Sequence, residues 1–136
     1  MRHLPLVFAV AVAAVACHPR HETVKFPVTE PDGRVVEVDK WWGFSPVNDP
    51  KVEKAFKLLQ ANKVEEARDI LEDHVAADPK DAFAHYDLAV CYEVRADWKK
   101  AHEQIQKALE LIPNQRTFEE ENAFIERHLS ASVAAK

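Results

Sequence analysis

Residues 82–113 read AFAHYDLAVCYEVRADWKKAHEQIQKALELIP, and the fold can be predicted from the helical pattern of this stretch. It contains two helical segments in which small residues, Ala89 and Ala101, allow two helices to approach each other closely. Leu88 and Ile105 are placed to fill the seam between these helices. Pro113 then ends the second helix, because proline lacks the backbone N–H that a helix interior needs. The stretch predicts one pair of packed helices.

The same pattern occurs 34 residues earlier in the chain. Pro79 and Pro113 are the only prolines after residue 50, and the same segment contains no glycine. Other residues recur at this offset: Ala55 with Ala89, Val64 with Trp98, Ala67 with Ala101, and Leu71 with Ile105. A repeated spacing of this kind predicts two copies of one helical unit.

The second copy reads His85-x-x-Leu88-Ala89-x-x-Tyr92, followed by Ala101-x-x-x-Ile105, Ala108 and Pro113. This resembles the tetratricopeptide repeat, whose pattern is W-x₂-L-G-x₂-Y…A-x₃-F…P over 34 residues. The first copy departs further from the pattern, with Lys51 and Lys54 in place of large apolar residues and His74 in place of alanine. The resemblance implies an all-α fold of two helical hairpins.

A third, shorter segment of the repeat pattern follows the second copy. Thr117-x-x-Glu120 has the form of a capping box, and Ala123 continues the register of Ala55 and Ala89. The remaining chain is too short for a second helix, so we expect a terminal capping helix. Asp49-Pro50 suits the start of the first helix. We therefore predict a repeat domain with its capping helix over residues 51–136.

Residues 17–50 are predicted to form a tether that contains a short hairpin. Thr23–Val28 and Arg34–Val38 are β-rich runs on either side of a turn at residues 30–33, Glu-Pro-Asp-Gly. An isolated two-stranded hairpin is marginally stable, so it must pack on something else. Trp41, Trp42 and Phe44 follow as an aromatic connector.

The amino terminus, residues 1–16, is predicted to be a signal peptide. A charged start precedes a largely apolar run from Leu4 to Ala16, which is shorter than the roughly 20 residues that span a bilayer. Ala14-Val15-Ala16-Cys17 resembles the lipobox of bacterial lipoproteins, and this implies lipidation at Cys17.

The implied location is the cell envelope, as an outer-membrane lipoprotein facing the periplasm. Two alternatives stay open. One is an ordinary signal-peptidase cut after Ala16, which would give a secreted or soluble periplasmic protein. The other is a simple transmembrane anchor.

Composition excludes several function classes. Two glycines in 136 residues rule out a phosphate-binding loop and a G-x-G-x-x-G dinucleotide site. A net charge of −5 does not indicate the positively charged surface that proteins use to bind nucleic acid. The serines, Ser45, Ser130 and Ser132, lie in connector or tail, and Cys91 lies in an apolar stretch that suits a small buried residue. We therefore expect no catalytic residue, no metal and no cofactor.

The resemblance implies a module that binds another protein or a peptide on its concave face. The first helix of each repeat lines that face, and the side chains that it would present are Val52, Phe56, Leu59, Phe83, Tyr86, Val90 and Glu93. Members that bind chaperone tails carry lysine and asparagine where Val52 and Phe56 stand, so a carboxylate clamp is not expected. The groove is predicted to be largely apolar.

Two other functions remain open. In the first, Trp41, Trp42 and Phe44 fill the groove, and the chain is a structural accessory of a larger assembly. In the second, the chain is a metal-dependent enzyme that uses histidines of neighbouring helices, namely His74, His85 and His102. None of the three has a spacing typical of paired metal ligands, and packed or solvated histidines explain them more simply.

Overall fold

The structure is a computed structural model and describes residues 22–42 and 49–135, without the side chains of residues 22–24, 41 and 42. Within these residues, a two-stranded antiparallel sheet precedes five helices. The strands are β1 (Glu22–Thr29) and β2 (Val35–Trp42). The helices are α1 (Pro50–Gln60), α2 (Val64–Ala77), α3 (Ala82–Val94), α4 (Trp98–Leu111) and α5 (Arg116–Ala134). The predicted all-α fold with two helical hairpins, a capping helix and a preceding β-hairpin is confirmed.

The β-hairpin forms around the predicted turn. The N–H of Gly33 donates to the carbonyl of Glu30 at 2.8 Å, and Gly33 has a φ of 85°, which glycine adopts without strain. Strand β2 extends past Val38 to Trp42, so the backbone of both tryptophans lies in the strand rather than in a connector. Aromatic residues favour strands, and pairing with residues 22–24 continues the ladder.

The helix ends follow the sequence signals in the two repeats. Asp49 caps α1 by accepting a hydrogen bond from the N–H of Lys51, and Pro50 is the first helical residue. Helix α2 ends at Ala77 and α4 at Leu111, each two residues before Pro79 or Pro113. The small residues of both repeats, Ala55, Ala67, Ala89, Ala101 and Ala108, are fully buried. They allow α1 to pack on α2 and α3 on α4.

The tight turns between the helices contain no glycine. Asn62, Ala96 and Asn114 take the left-handed conformation there, with φ of 57°, 58° and 62°. Asparagine tolerates this conformation, but alanine adopts it at a cost of about 1 kcal/mol or more. Ala96 is therefore a strained position in the turn between α3 and α4.

Helix α5 differs from its prediction at two points. It begins at Arg116 after Gln115, and no side chain caps it, so the predicted capping box at Thr117 and Glu120 is wrong. Asn114 takes the left-handed conformation, and the helix begins two residues later at Arg116. Thr117 therefore lies inside the helix and cannot be its N-cap. Ala123 is exposed, unlike Ala55 and Ala89, because α5 has no following helix in the described chain.

Candidate binding face

The β-hairpin lies on the face formed by α3 and α5. Phe26 of β1 is fully buried and belongs to the same apolar cluster as the helices, and Val38 of β2 packs against that cluster. At the hairpin turn, Glu30 lies 3.1 Å from Nε2 of His128 on α5. Since α3 and α5 are the first helices of their units, the hairpin covers part of the predicted concave face.

Most of the predicted groove residues are buried beneath neighbouring side chains. Two remain partly exposed, Phe56 on α1 and Phe83 on α3. The ring of Phe83 meets that of Phe118 edge-on, with centroids 5.5 Å apart. The buried ones, each at most 7% exposed, are Val52, Leu59, Tyr86, Val90 and Glu93. The apolar surface that a partner could reach is thus smaller than the sequence indicates.

A buried ionic cluster joins the hairpin to this face. The ammonium of Lys40 on β2 lies 2.6 Å from Oε2 of Glu93 on α3 and also contacts Oε1 of Glu121 on α5. The hydroxyl of Tyr86 donates to the other oxygen of Glu121 at 3.3 Å. The ring of Phe124 lies below the ammonium, whose nitrogen is 3.8 Å from the centroid. All members except Phe124 are less than 9% exposed.

The cluster holds two carboxyl groups against one ammonium. Burial raises the pKa of Glu93 well above its ordinary value, and the negative charge of Glu121 raises it further, while Lys40 opposes both effects. Burial and the charge of Glu121 also raise the pKa of Tyr86. Hydrogen bonding to Glu121 also raises the pKa of Glu93, while hydrogen bonding to the Lys40 ammonium, 2.6 Å from Oε2, lowers it.

Of the cluster residues, Glu93 was predicted as a groove residue, whereas Lys40 and Glu121 were not. Strand alternation places Lys40 on the face of Val38, so a lysine on the apolar side of a strand was the available signal. On α5, Glu121 falls between the buried Phe118 and Ile125 at helical spacing. Neither signal says that the two side chains meet, because they come from segments 81 residues apart.

An open cleft of about 410 Å³ lies next to the cluster, between β2 and α5. Its lining includes part of the cluster and several charged side chains: Val38, Asp39, Lys40, Tyr86, Thr117, Glu120, Glu121, Phe124 and Arg127. The charged groups are three carboxyl groups and two cations, so the net charge of the lining is negative when all are ionised. The guanidinium of Arg127 lies 5.6 Å from the centre of the Phe124 ring.

The three candidate metal-binding histidines have separate partners. Each is held by its own polar contacts: His74 by Asp81 at 3.0 Å, His85 by Gln104 at 2.8 Å and the carbonyl of Pro79 at 3.0 Å, and His102 by Gln106 at 3.3 Å. In residues 22–42 and 49–135, no three His, Cys, Asp or Glu side chains are grouped so as to hold a metal ion. Within the described residues, each of the three histidines thus contacts a polar group of the chain itself.

Asp87 and Cys91 are also buried on α3. The Cys91 thiol is free and fully buried, as predicted for a small core residue. Burial raises its pKa, and nearby Asp87 adds to this, which disfavours the reactive thiolate. Burial and the charge of Asp81 raise the pKa of Asp87 well above its ordinary value.

The predicted signal peptide, Cys17, and Phe44 of the aromatic segment lie outside the described residues, as do the side chains of Trp41 and Trp42. Within the described part, no helix combines the length and the hydropathy needed to cross a membrane.

No curated protein matches this chain. A family model described as "Tetratricopeptide repeat" matches residues 58–118, from the end of α1 into the first turn of α5. That range contains the complete second helical pair and the helix before it. The helices of this chain accordingly have the fold of the tetratricopeptide-repeat type, a fold typical of non-catalytic modules that bind other proteins.

Proposed function

We propose that the chain is a protein-binding module of the bacterial cell envelope and a subunit of a larger assembly. The observation that carries the proposal is the open cleft beside the cluster, on the face where repeats of this type take their partners. Phe56 and Phe83 provide partly exposed aromatic surface on the same set of helices. Aromatic side chains of this kind often supply much of the binding energy at protein interfaces.

The envelope location rests on the amino-terminal sequence. Residues 1–16 would be removed as a signal peptide, and Cys17 would carry the lipid that holds the protein at the outer membrane, facing the periplasm. Residues 17–50 would then connect the anchor to the repeat domain of residues 51–136. A cut by ordinary signal peptidase would leave a secreted or soluble periplasmic protein instead.

Labelling with radioactive palmitate tests the anchor. The wild-type chain should incorporate label and remain with the outer membrane after fractionation. Cys17→Ala should lose the label and appear in the soluble periplasmic fraction. Cys91→Ala is the matched control, and it should be labelled like the wild type because its thiol is buried. Equal labelling of wild type and Cys17→Ala would disprove the anchor.

A second candidate function is a structural accessory whose groove is occupied by its own chain. The packed hairpin favours it, since Phe26 and Lys40 bury part of the face that a partner would use. In that case the outer surface of α2 and α4 would contact the assembly. The two candidates therefore assign the partner to opposite faces of the repeat.

Purification from detergent-extracted envelopes separates the two. Phe56→Ala combined with Phe83→Ala alters the face of the first helices, while Glu103→Ala combined with Glu110→Ala alters exposed positions of α4. A binding module should lose its co-purifying partner in the first variant and retain it in the second. The reverse pattern would establish the accessory role, and retention in both variants would refute binding through either face.

A further inference from the structure

The buried cluster has the composition of a site for a primary ammonium group. Glu121 supplies a carboxylate, Glu93 supplies the oxygens of a second carboxyl group from a different helix, and Phe124 supplies an aromatic face. A carboxylate and an aromatic ring each attract a cation. In this structure the site is filled from within the chain, by the side chain of Lys40.

Fold stability alone does not explain why such a cluster is present. A buried ion pair contributes little net stability relative to apolar residues of the same size, because desolvation of the charges offsets their attraction. The lysine also comes from a two-stranded sheet, an element that is marginally stable without its packing contacts. What the cluster does provide is a buried position in which one ammonium group contacts both carboxyl groups and the ring of Phe124.

The site also borders an open cleft. Glu93 is fully buried and lies 2.6 Å from the ammonium of Lys40. The cleft of about 410 Å³ reaches the site, because Lys40, Glu121 and Phe124 are part of its lining. Asp39 and Glu120 also line the cleft, and the carboxyl groups of the lining outnumber its cations, so the cleft favours a cationic ligand over an anionic one.

We infer that this site is a lysine-binding pocket, that Lys40 occupies it in place of a partner, and that the partner presents a lysine on an extended segment. The inference rests on the proposed function and names the chemistry of the partner. Strand β2 shows how such a segment would bind. Val38 and Lys40 lie on one face of the extended strand, so that Val38 packs against the helices while Lys40 enters the pocket.

Calorimetry on the detergent-solubilised full chain tests the inference. The probe is an amidated peptide with the sequence of residues 34–40, RVVEVDK, and the matched probe carries glutamine in place of its lysine. Lys40→Ala empties the pocket, so it should bind the lysine peptide about tenfold more tightly than the wild type does. The glutamine peptide should bind about tenfold more weakly to the same variant. Lys25→Ala, which removes an exposed lysine of β1, should behave like the wild type.

Glu121→Gln added to Lys40→Ala should abolish the gain in affinity, because it removes the carboxylate that the ammonium contacts. Should Lys40→Ala fail to fold by circular dichroism, Glu121→Gln in the wild-type background replaces it and should weaken binding of the lysine peptide about tenfold. Equal binding of the two peptides, or a gain in affinity that survives Glu121→Gln, would overturn the inference. Self-association of the wild type that Lys40→Ala abolishes would also overturn it, because the pocket would then serve a second copy of the chain.

The two proposals fail in different ways. In one outcome, the Phe56→Ala and Phe83→Ala double variant loses its co-purifying partner, but peptide binding does not depend on lysine. This outcome would overturn the lysine-binding pocket and leave the proposed binding module unaffected. Lysine-dependent peptide binding without any partner that depends on those phenylalanines would support the pocket and refute only the part of the proposed function that assigns partner binding to the two phenylalanines.

Discussion

The buried carboxyl of Glu93 should make the stability of the fold depend on pH in a direction opposite to that of most acidic groups. Its side chain is fully buried, and burial together with the charge of Glu121 raises its pKa well above the ordinary value. The folded state therefore binds a proton that the unfolded state releases at about pH 4.3. Its contribution to stability is complete below that pH and is lost as the pH rises through the folded-state pKa.

The magnitude follows from proton linkage. For each proton that only the folded state holds, the free energy of unfolding falls by about 1.4 kcal/mol when the pH rises by one unit. Asp87 also has a pKa raised well above its ordinary value, so the wild type should lose up to about 2.7 kcal/mol per unit from the two groups. Glu93→Gln removes one titrating group and should halve this slope.

Urea unfolding followed by circular dichroism, repeated at half-unit steps from about pH 5 to pH 7, measures the slope. Glu37→Gln is the matched control, because Glu37 is an exposed acid on the same strand as Lys40. Its stability curve should run parallel to that of the wild type. A Glu93→Gln curve that is also parallel to the wild type would refute the assignment of a raised pKa to Glu93.

Three further predictions concern single residues. Ala96→Gly should raise the free energy of unfolding by about 1 kcal/mol in urea titrations, because glycine removes the strain of the left-handed turn; a destabilised variant would contradict this. Phe26→Ala should lower it by about 3–5 kcal/mol and speed amide exchange in α5, whereas unchanged exchange would show that the hairpin does not cover α5. Cys91 should react with an aromatic disulfide reagent only as fast as the fold opens, and fast labelling of the native protein would contradict its burial.

The helical part of the fold could be predicted because its signals are local and periodic. The 34-residue spacing, the alanines at the helix contacts and the two prolines each fix one feature of a helical pair, and all three agree. The hairpin turn was predictable for the same reason, since Gly33 and its neighbours define it within four residues. The start of α5 was not, because a left-handed Asn114 moved the helix start ahead of the expected cap.

The candidate site was less predictable because it depends on where the hairpin packs. The repeat pattern identified the groove positions, among them Glu93, but it describes only the helices. Lys40 and Glu121 meet through contacts between distant segments, and no spacing in the sequence encodes such a contact. The groove was therefore expected to be apolar, whereas the structure places a lysine and two glutamates within it.

Photo-crosslinking in living cells shows directly whether the face of the first helices binds a partner protein. A photoreactive amino acid at Phe83, which is partly exposed on α3, should crosslink to one discrete partner in the envelope. The same group at Glu110, exposed on α4, should give no such product. A partner captured at Glu110 and not at Phe83 would contradict the account and place the interaction on the opposite face.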